Sequence, residues 1–313
     1  MRICNNISPA SLCCGLESIV TLGTFDGVHA GHRSIIHDVR KYAKKRNIQS
    51  AVITFDRHPM SVIRPEKAPK LLTTLDEKLE LIKKMGVDFA YIIHFTKETA
   101  EMTAEEFVET YLVKCMGMRQ FIVGYDHGFG KGRKSSTKSL TELGETFDFD
   151  VKIVEPVIVD ETIVSSSAVR DLIRDGNVRK ASSLLERDYS ITGTVETGHG
   201  VGKKIGFPTA NIEPLEKNIL IPGTGVYSGS LNIDNTDYDA VISIGPRLTY
   251  NDDRHLIEAH ALGFSGDIYG KTVSLGLTEK LRDLVKFNSE KELIDQIIKD
   301  IEKANNFNFA NIK

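Results

Sequence analysis

The chain has 313 residues, 41% hydrophobic and 27% charged, with a formal net charge of -3. At roughly 150 residues per domain this length predicts two domains, and the composition excludes a disordered or fibrous chain. The near-neutral balance offers no basic field for DNA or RNA, and no run approaches the roughly 18 apolar residues of a membrane span. The expected partners are therefore small molecules, with neither nucleic acid nor membrane, and the expected location is the cytoplasm. Cys4, Cys13, Cys14 and Cys115 contain no CxxC pair, so neither a disulfide framework nor a structural zinc site is expected.

From residue 18 to about 160, β-branched runs alternate with helix-period segments. SIVTLGTF, QSAVITFD, DFAYIIHF, QFIVGYD and VKIVEPVIV read as five strands, separated by helices near 31–46, 74–86, 103–117 and 136–147. Thr74 with Glu77 and Thr103 with Glu106 have the spacing of capping boxes. Five strands with four crossovers predict an α/β fold with a doubly wound parallel sheet, which binds ligands at the carboxyl ends of its strands.

SSSAVRDLIRDG and NVRKASSLLER read as two further helices, after which the texture changes. YSITGTVE, GVYSGSLNI, YDAVISIG, IEAHALGF and IYGKTVSLGL are glycine-bearing strand runs and predict a small antiparallel β-barrel. SEKELIDQIIKDIEKAN reads as a terminal helix capped by Ser289 and Glu292. Its apolar stripe, Leu293, Ile294, Ile297, Ile298 and Ile301, should pack on the barrel. The expected domains are 1–185 and 186–313.

GTFDGVHAGH, residues 23–32, stands between the first strand and its helix. Gly23, Gly27 and Gly31 permit a tight turn and close approach to a ligand, and His29 and His32 present donors where a helix N-terminus favours anions. A plain turn and a zinc pair with remote ligands remain open alternatives at this point. In the β-rich half, GHGVGKKIGFPTANI at 198–212 has glycines able to fold a loop over phosphates. Thr209 and Asn211, two apart on an extended segment, can aim oxygens at one cation.

GTFDGVHAGH resembles the GxFDGxHxGH signature of prokaryotic bifunctional FAD synthetases, a longer form of the nucleotidyltransferase HxGH. TFDRHP at 54–59, LLTTLDEKLELIKKMGVD at 71–88, VGYDHGFGKGR at 123–133 and SSSAVR at 165–170 agree in order and spacing. PTAN after GF resembles the riboflavin kinase module of the same enzymes, and the likeness continues through SIGPRLTY at 243–250, IEAHALGFSGDIYGK at 257–271 and KLRDLVKF at 280–287. The resemblance implies phosphorylation of riboflavin to FMN and adenylylation of FMN to FAD, with ATP as co-substrate and Mg2+ as cofactor. It implies that His29, His32 and Arg170 act on the triphosphate, with Gly23, Phe25, Asp26, Gly27, Gly31, Gly124, Asp126, Ser165 and Ser166 around the nucleotide or flavin. In the barrel it implies Glu258 as general base, Thr209 and Asn211 as Mg2+ ligands, Gly200, Gly202, Gly206 and Pro208 around ATP, and Arg282 near flavin.

The chain departs from the family's usual residues at His127 (Phe), Ser135 (Gly) and Ser167 (Thr), and at Ser243 (Asn), Leu248 (Pro), Tyr250 (Phe) and Gly263 (Asp). Ser167 keeps the hydroxyl, the changes at His127 and Ser135 bear on flavin packing and loop shape more than on reaction type, and those in the barrel bear on loop rigidity and so on the kinase activity. Two rival functions also stand: an adenylyltransferase whose barrel only binds flavin, and a flavin-responsive binding protein without turnover.

Overall fold

A computed structural model describes residues 1–5, 17–125, 128, 137–198, 201–247 and 252–310. The chain divides into two units, Met1–Ser166 and Ser167–Lys313.

The first unit contains β1 (Arg2–Asn5), β2 (Ser18–Leu22), α1 (Ala30–Arg46), β3 (Gln49–Phe55), α2 (Met60–Ile63), α3 (Leu75–Lys84) and β4 (Phe89–Ile93). It continues through α4 (Lys97–Glu101), α5 (Ala104–Phe107), β5 (Met118–Gly124), α6 (Thr137–Phe147), β6 (Asp150–Val154), β7 (Ile158–Val159) and β8 (Thr162–Ile163). Every neighbouring pair in the sheet is parallel, in the order β1-β4-β3-β2-β5-β6. The sheet therefore has six strands, not the expected five. β1 is a four-residue edge strand, too short to show a period, and only its pairing with β4 defines it.

β2 and β4 are buried at every residue, as strands covered on both faces must be. Val20, Leu22, Ile53 and Tyr91 pack with Phe107 and Leu112 on one face, while Ile19, Val39, Ala43 and Ile122 join on the other. Both capping boxes, at Thr74 and Thr103, are present with both reciprocal bonds. The segment expected as one helix over 103–117 is α5 followed by a π-helical stretch, Val108–Lys114. VKIVEPVIV is likewise not one strand. It splits into β6 and β7, and β7 turns through Asp160 and Glu161, both at positive φ, to pair with β8.

The second unit begins within α7 (Ser166–Arg174), followed by α8 (Val178–Leu185), β9 (Tyr189–Glu196), α9 (Val201–Lys204), β10 (Ala210–Pro214), β11 (Gly225–Ile233), β12 (Thr236–Arg247), β13 (Asp252–Ala261), β14 (Thr272–Arg282) and α10 (Glu290–Ala310). The six strands close as β10-β13-β12-β11-β14-β9, with all pairs antiparallel. α8 packs on β14 and β9 through a face that includes buried Ala181, Leu184 and Leu185. α10 packs on the barrel as expected.

The predicted stripe of α10 needs correction, because Ile298 is 43% exposed while Asp300 is 1% exposed. Asp300 takes a core-facing place because the Arg282 guanidinium meets it at 3.0 Å and 2.7 Å and Gln296 donates to it at 2.9 Å. At the start of the same helix Ser289 accepts from Glu292 N–H, whereas the Glu292 carboxylate accepts from Asn288 N–H.

Candidate active sites

In the first unit the strand order places β2 between β3 and β5, so the chain's crossovers diverge at the carboxyl ends of β2 and β5. That crevice is where open α/β sheets bind ligands. The loop leaving β2 carries GTFDGVHAGH, and Gly124 ends β5 beside it. Asp126 lies outside the described residues.

The loop is tightly wound. Phe25 (φ 47), Gly27 (φ 84) and Val28 (φ 40) are all left-handed, a conformation that glycine adopts freely and a buried β-branched valine adopts only when its surroundings enforce it. Gly23 and Gly31 make room instead. A Cβ on Gly23 would meet the Phe25 ring at 3.2 Å, and one on Gly31 would meet the His29 ring at 3.3 Å.

His29 is the N-cap of α1, and its Nδ1 accepts from the His32 N–H at 3.3 Å. That bond leaves Nε2 as the protonated nitrogen of the neutral ring. The His29 and His32 rings stack 3.6 Å apart at 16°, and Phe25 meets His32 edge-on at 5.1 Å. Among the described residues no group of three His, Cys, Asp or Glu is placed to hold a metal ion.

Asp26 braces the loop. Its carboxylate accepts from the N–H groups of Leu72 at 2.9 Å and Thr73 at 3.1 Å, and its carbonyl accepts from Ser166 Oγ at 2.9 Å. The last bond ties Ser166, at the start of α7, to the loop. Ser165 precedes that helix, and Arg170 further along it is buried.

Lys78 was not among the expected site residues. It is 8% exposed, and its ammonium donates to Thr24 O at 3.1 Å and Phe55 O at 2.9 Å, tying the glycine loop to the end of β3. A signal exists in the sequence, since Lys78 occupies the apolar stripe of α3 between Leu75 and Ile82. Burial pushes its ammonium down to about 8 from 10.5, against the pull of Asp26 and Asp56. At the end of β3, burial opposes the charged form of Asp56, yet the Phe95 N–H, His94 and Arg57 together hold its carboxyl below the usual value.

The Lys78 shift has a testable sign. Between pH 8 and 10.5 the unfolded chain retains a proton that the folded chain has lost, so stability rises with pH across that window. The full rise is on the order of 3 kcal/mol. Lys78→Met has no such proton and should gain nothing. Urea titrations of both chains at about pH 7 and about pH 10 measure the difference, and parallel behaviour would refute the assignment.

In the second unit the functional candidates meet on the outer side of the barrel wall. Asn211 on β10 is the direct cross-strand partner of Glu258 on β13, and Ser243 on β12 is its partner on the other side. Their chain neighbours Ala210, Ile212, Ile257, Ala259, Ile242 and Ile244 point into the core. Thr209 Oγ1 donates to Glu258 Oε1 at 3.4 Å.

The glycine loop closes against this patch. A Cβ on Gly202 would lie 2.3 Å from Phe207 O and 3.1 Å from Thr209 Oγ1, and one on Gly198 would lie 2.0 Å from the Asn211 side-chain nitrogen. Gly206 (φ +88) turns the chain into the Phe207-Pro208 corner, and Gly200 lies outside the described residues. A cleft of about 770 Å³ reaches Asn211 and is walled by Glu196, Gly198, Ile221, Ile244 and Ile257, while Glu258 and Thr209 lie outside its lining.

Arg282 ends β14 with its guanidinium engaged by Asp300 and 5.7 Å from the Phe287 ring centroid. Of the departures from the family, Gly263 (φ +72) sits at a left-handed position that Asp also tolerates. Ser243 lies beside Glu258, and His127, Ser135, Leu248 and Tyr250 are outside the described residues.

A doubly wound parallel sheet with a histidine-lined glycine loop at its switch point, followed by a closed barrel bearing a carboxylate among hydroxyl and amide side chains, is the class of two-unit α/β-plus-barrel protein with a candidate site in each unit. Residues 15–168 match the FAD synthetase family and residues 185–308 the riboflavin kinase family. The bifunctional riboflavin kinase/FMN adenylyltransferase of Listeria monocytogenes is 35% identical over 302 residues, covering 95% of this chain and 94% of that one. The Escherichia coli K12 protein of the same description is 35% identical, with 92% of each chain covered.

A crystal structure described as a macrolide-efflux protein from Streptococcus pneumoniae superposes with a TM-score of 0.88 at 32% identity, covering 97% of this chain and 99% of that one. Among the described residues of this chain no helix is long and apolar enough to cross a membrane. The chain belongs to the bifunctional riboflavin kinase/FMN adenylyltransferase family, and both activities have their domain in it.

Proposed function

We propose that riboflavin is phosphorylated on the outer wall of the barrel around Glu258 and that FMN is adenylylated at the loop that follows β2. The observation that carries this reading is the placement of Glu258 beside Thr209 and directly opposite Asn211.

In the kinase step the ribityl 5′-hydroxyl oxygen bonds to the γ-phosphorus of ATP, the bond from that phosphorus to the bridging oxygen breaks, and ADP leaves. Glu258 orients the hydroxyl and accepts its proton late, as phosphoryl transfer requires. Thr209 and Asn211 are the residues that would hold Mg2+. Their oxygens, gathered beside a carboxylate, suit a hard cation. When bound, the ion neutralises charge on the ATP phosphates. The close approach of Gly198 and Gly202 supports a loop that covers the nucleotide.

In the adenylyl step an FMN phosphate oxygen bonds to the α-phosphorus of ATP and pyrophosphate leaves, with no covalent enzyme intermediate. Such a step needs positioning and charge stabilisation. His29 and His32 contribute ring donors at the N-terminus of α1, and Ser165, Ser166 and Arg170 hold the outer phosphates. Asp126 would serve nucleotide or metal. The cytoplasm is the proposed site of action.

The full-length protein incubated with riboflavin, ATP and Mg2+ should yield FMN and then FAD, separable by chromatography. FAD formation from FMN without any FMN formation from riboflavin would favour an adenylyltransferase whose barrel only binds flavin. We place the division of activities at 185/186, although α8, which precedes it, packs with the barrel. Residues 167–313 alone should therefore phosphorylate riboflavin. Residues 186–313 should melt lower, because removing α8 uncovers the surface buried beneath Ala181, Leu184 and Leu185. A folded 167–313 chain that binds riboflavin and ATP but makes no FMN would overturn the division.

A further inference from the structure

The segment bearing Thr209 and Asn211 is anchored from a neighbouring strand by one side chain. His260 lies two residues beyond Glu258 on β13, so the period of the strand puts both on one face. His260 Nδ1 stands 2.7 Å from the carbonyl oxygen of Pro208, the residue before Thr209. A carbonyl only accepts, so Nδ1 carries the proton and the neutral ring keeps its lone pair on Nε2. The ring also meets Phe207 edge-on, with centroids 5.8 Å apart at 79°.

Pro208 has no N–H, so its carbonyl is the one main-chain group through which it can be held. Phe207 in turn donates its N–H to Gly202 O at 2.8 Å. Contacts thus run from His260 through 207–209 to the glycine turn at 202, and Thr209 reaches back to Glu258.

We infer that His260 is a positioning residue of the riboflavin kinase step: its Nδ1–H fixes the Pro208 carbonyl and, through it, holds Thr209 and Asn211 in register with the ATP phosphates and their cation. The inference rests on the reading that Thr209 and Asn211 face that ligand. His260 touches no reacting atom. Its loss should weaken nucleotide binding more than it slows the chemical step.

Asn and Gln separate the two ring nitrogens, because the Asn side-chain nitrogen is as many bonds from Cβ as Nδ1 and the Gln nitrogen as many as Nε2. In the full-length protein, His260→Asn should keep the KM for MgATP in riboflavin phosphorylation within about twofold of the parent. His260→Gln should raise it about tenfold, with a smaller change in kcat. Conversion of FMN to FAD should be unaffected in both. MgADP binding measured by calorimetry, which needs no turnover, should follow the same order.

Equal nucleotide affinity in the two variants, or a loss confined to kcat, overturns the inference. If His260→Gln unfolds the barrel, seen as lost riboflavin binding, His260→Asn still decides, since a folded Asn variant with weakened MgADP binding also overturns it. Thr209→Val separates the underlying reading. Unchanged MgATP affinity in that variant removes the role given to the Thr209–Asn211 segment, whereas weakened affinity there with a parent-like His260→Gln removes only the role of His260.

Discussion

Glu258→Gln should slow riboflavin phosphorylation by about 10²–10⁴-fold while supplied FMN is still converted to FAD at the parent rate. Gln keeps the size and hydrogen-bonding reach of the side chain and loses the capacity to take a proton. The strand itself is not at risk. Glu258 sits on the outer face of β13 between its partners on β10 and β12, with Ile257 and Ala259 supplying the core contacts. The Gln amide can still accept from Thr209, so riboflavin affinity and melting temperature should stay near parent values. Measuring both together with the two rates on one preparation separates a base from a scaffold residue. Unchanged FMN production would rule Glu258 out as the base.

His32→Ala should reduce FAD formation by about 10²–10³-fold and leave FMN formation from riboflavin intact, the expected cost of one phosphate-stabilising donor. The structure makes His32 a cleaner test than His29. His29 caps α1 through its own ring, so its replacement also removes a cap worth about 1 kcal/mol. At position 32 the cap uses only the backbone N–H, which alanine retains. Arg170→Ala should give the same kinetic pattern, but Arg170 is buried, so its melting temperature must be measured alongside. A folded variant of either residue that makes FAD at the parent rate would remove that residue from the site.

The sequence alone determined the features that depend on near neighbours. The capping boxes at Thr74 and Thr103, the alternation of strands and helices, and the GTFDGVHAGH and PTAN strings are local patterns: both boxes form and most strands and helices stand where the alternation placed them, whereas 103–117 and VKIVEPVIV each divide. Glycine positions were legible as turns, but their separate tasks were not. Gly27 is left-handed, whereas Gly198 and Gly202 are required because distant atoms of Asn211 and Phe207 press on them.

Only the tertiary structure decided what long-range contacts control. β1 exists because β4 offers it an edge, and the barrel closes because β10 finds β9 and β13. Lys78 and Asp300 are charged residues within helical patterns. Both fall on apolar stripes and are buried, one by two carbonyls and the other by Arg282, at separations in sequence that no local period can sense. The same holds at the sites. Asp26 as a brace for residues 72–73, and His260 as the anchor of Pro208, follow from hydrogen bonds spanning about fifty residues. A charge or polar group can leave water only where folding brings it a partner, and that partner is chosen by topology rather than by the adjoining sequence.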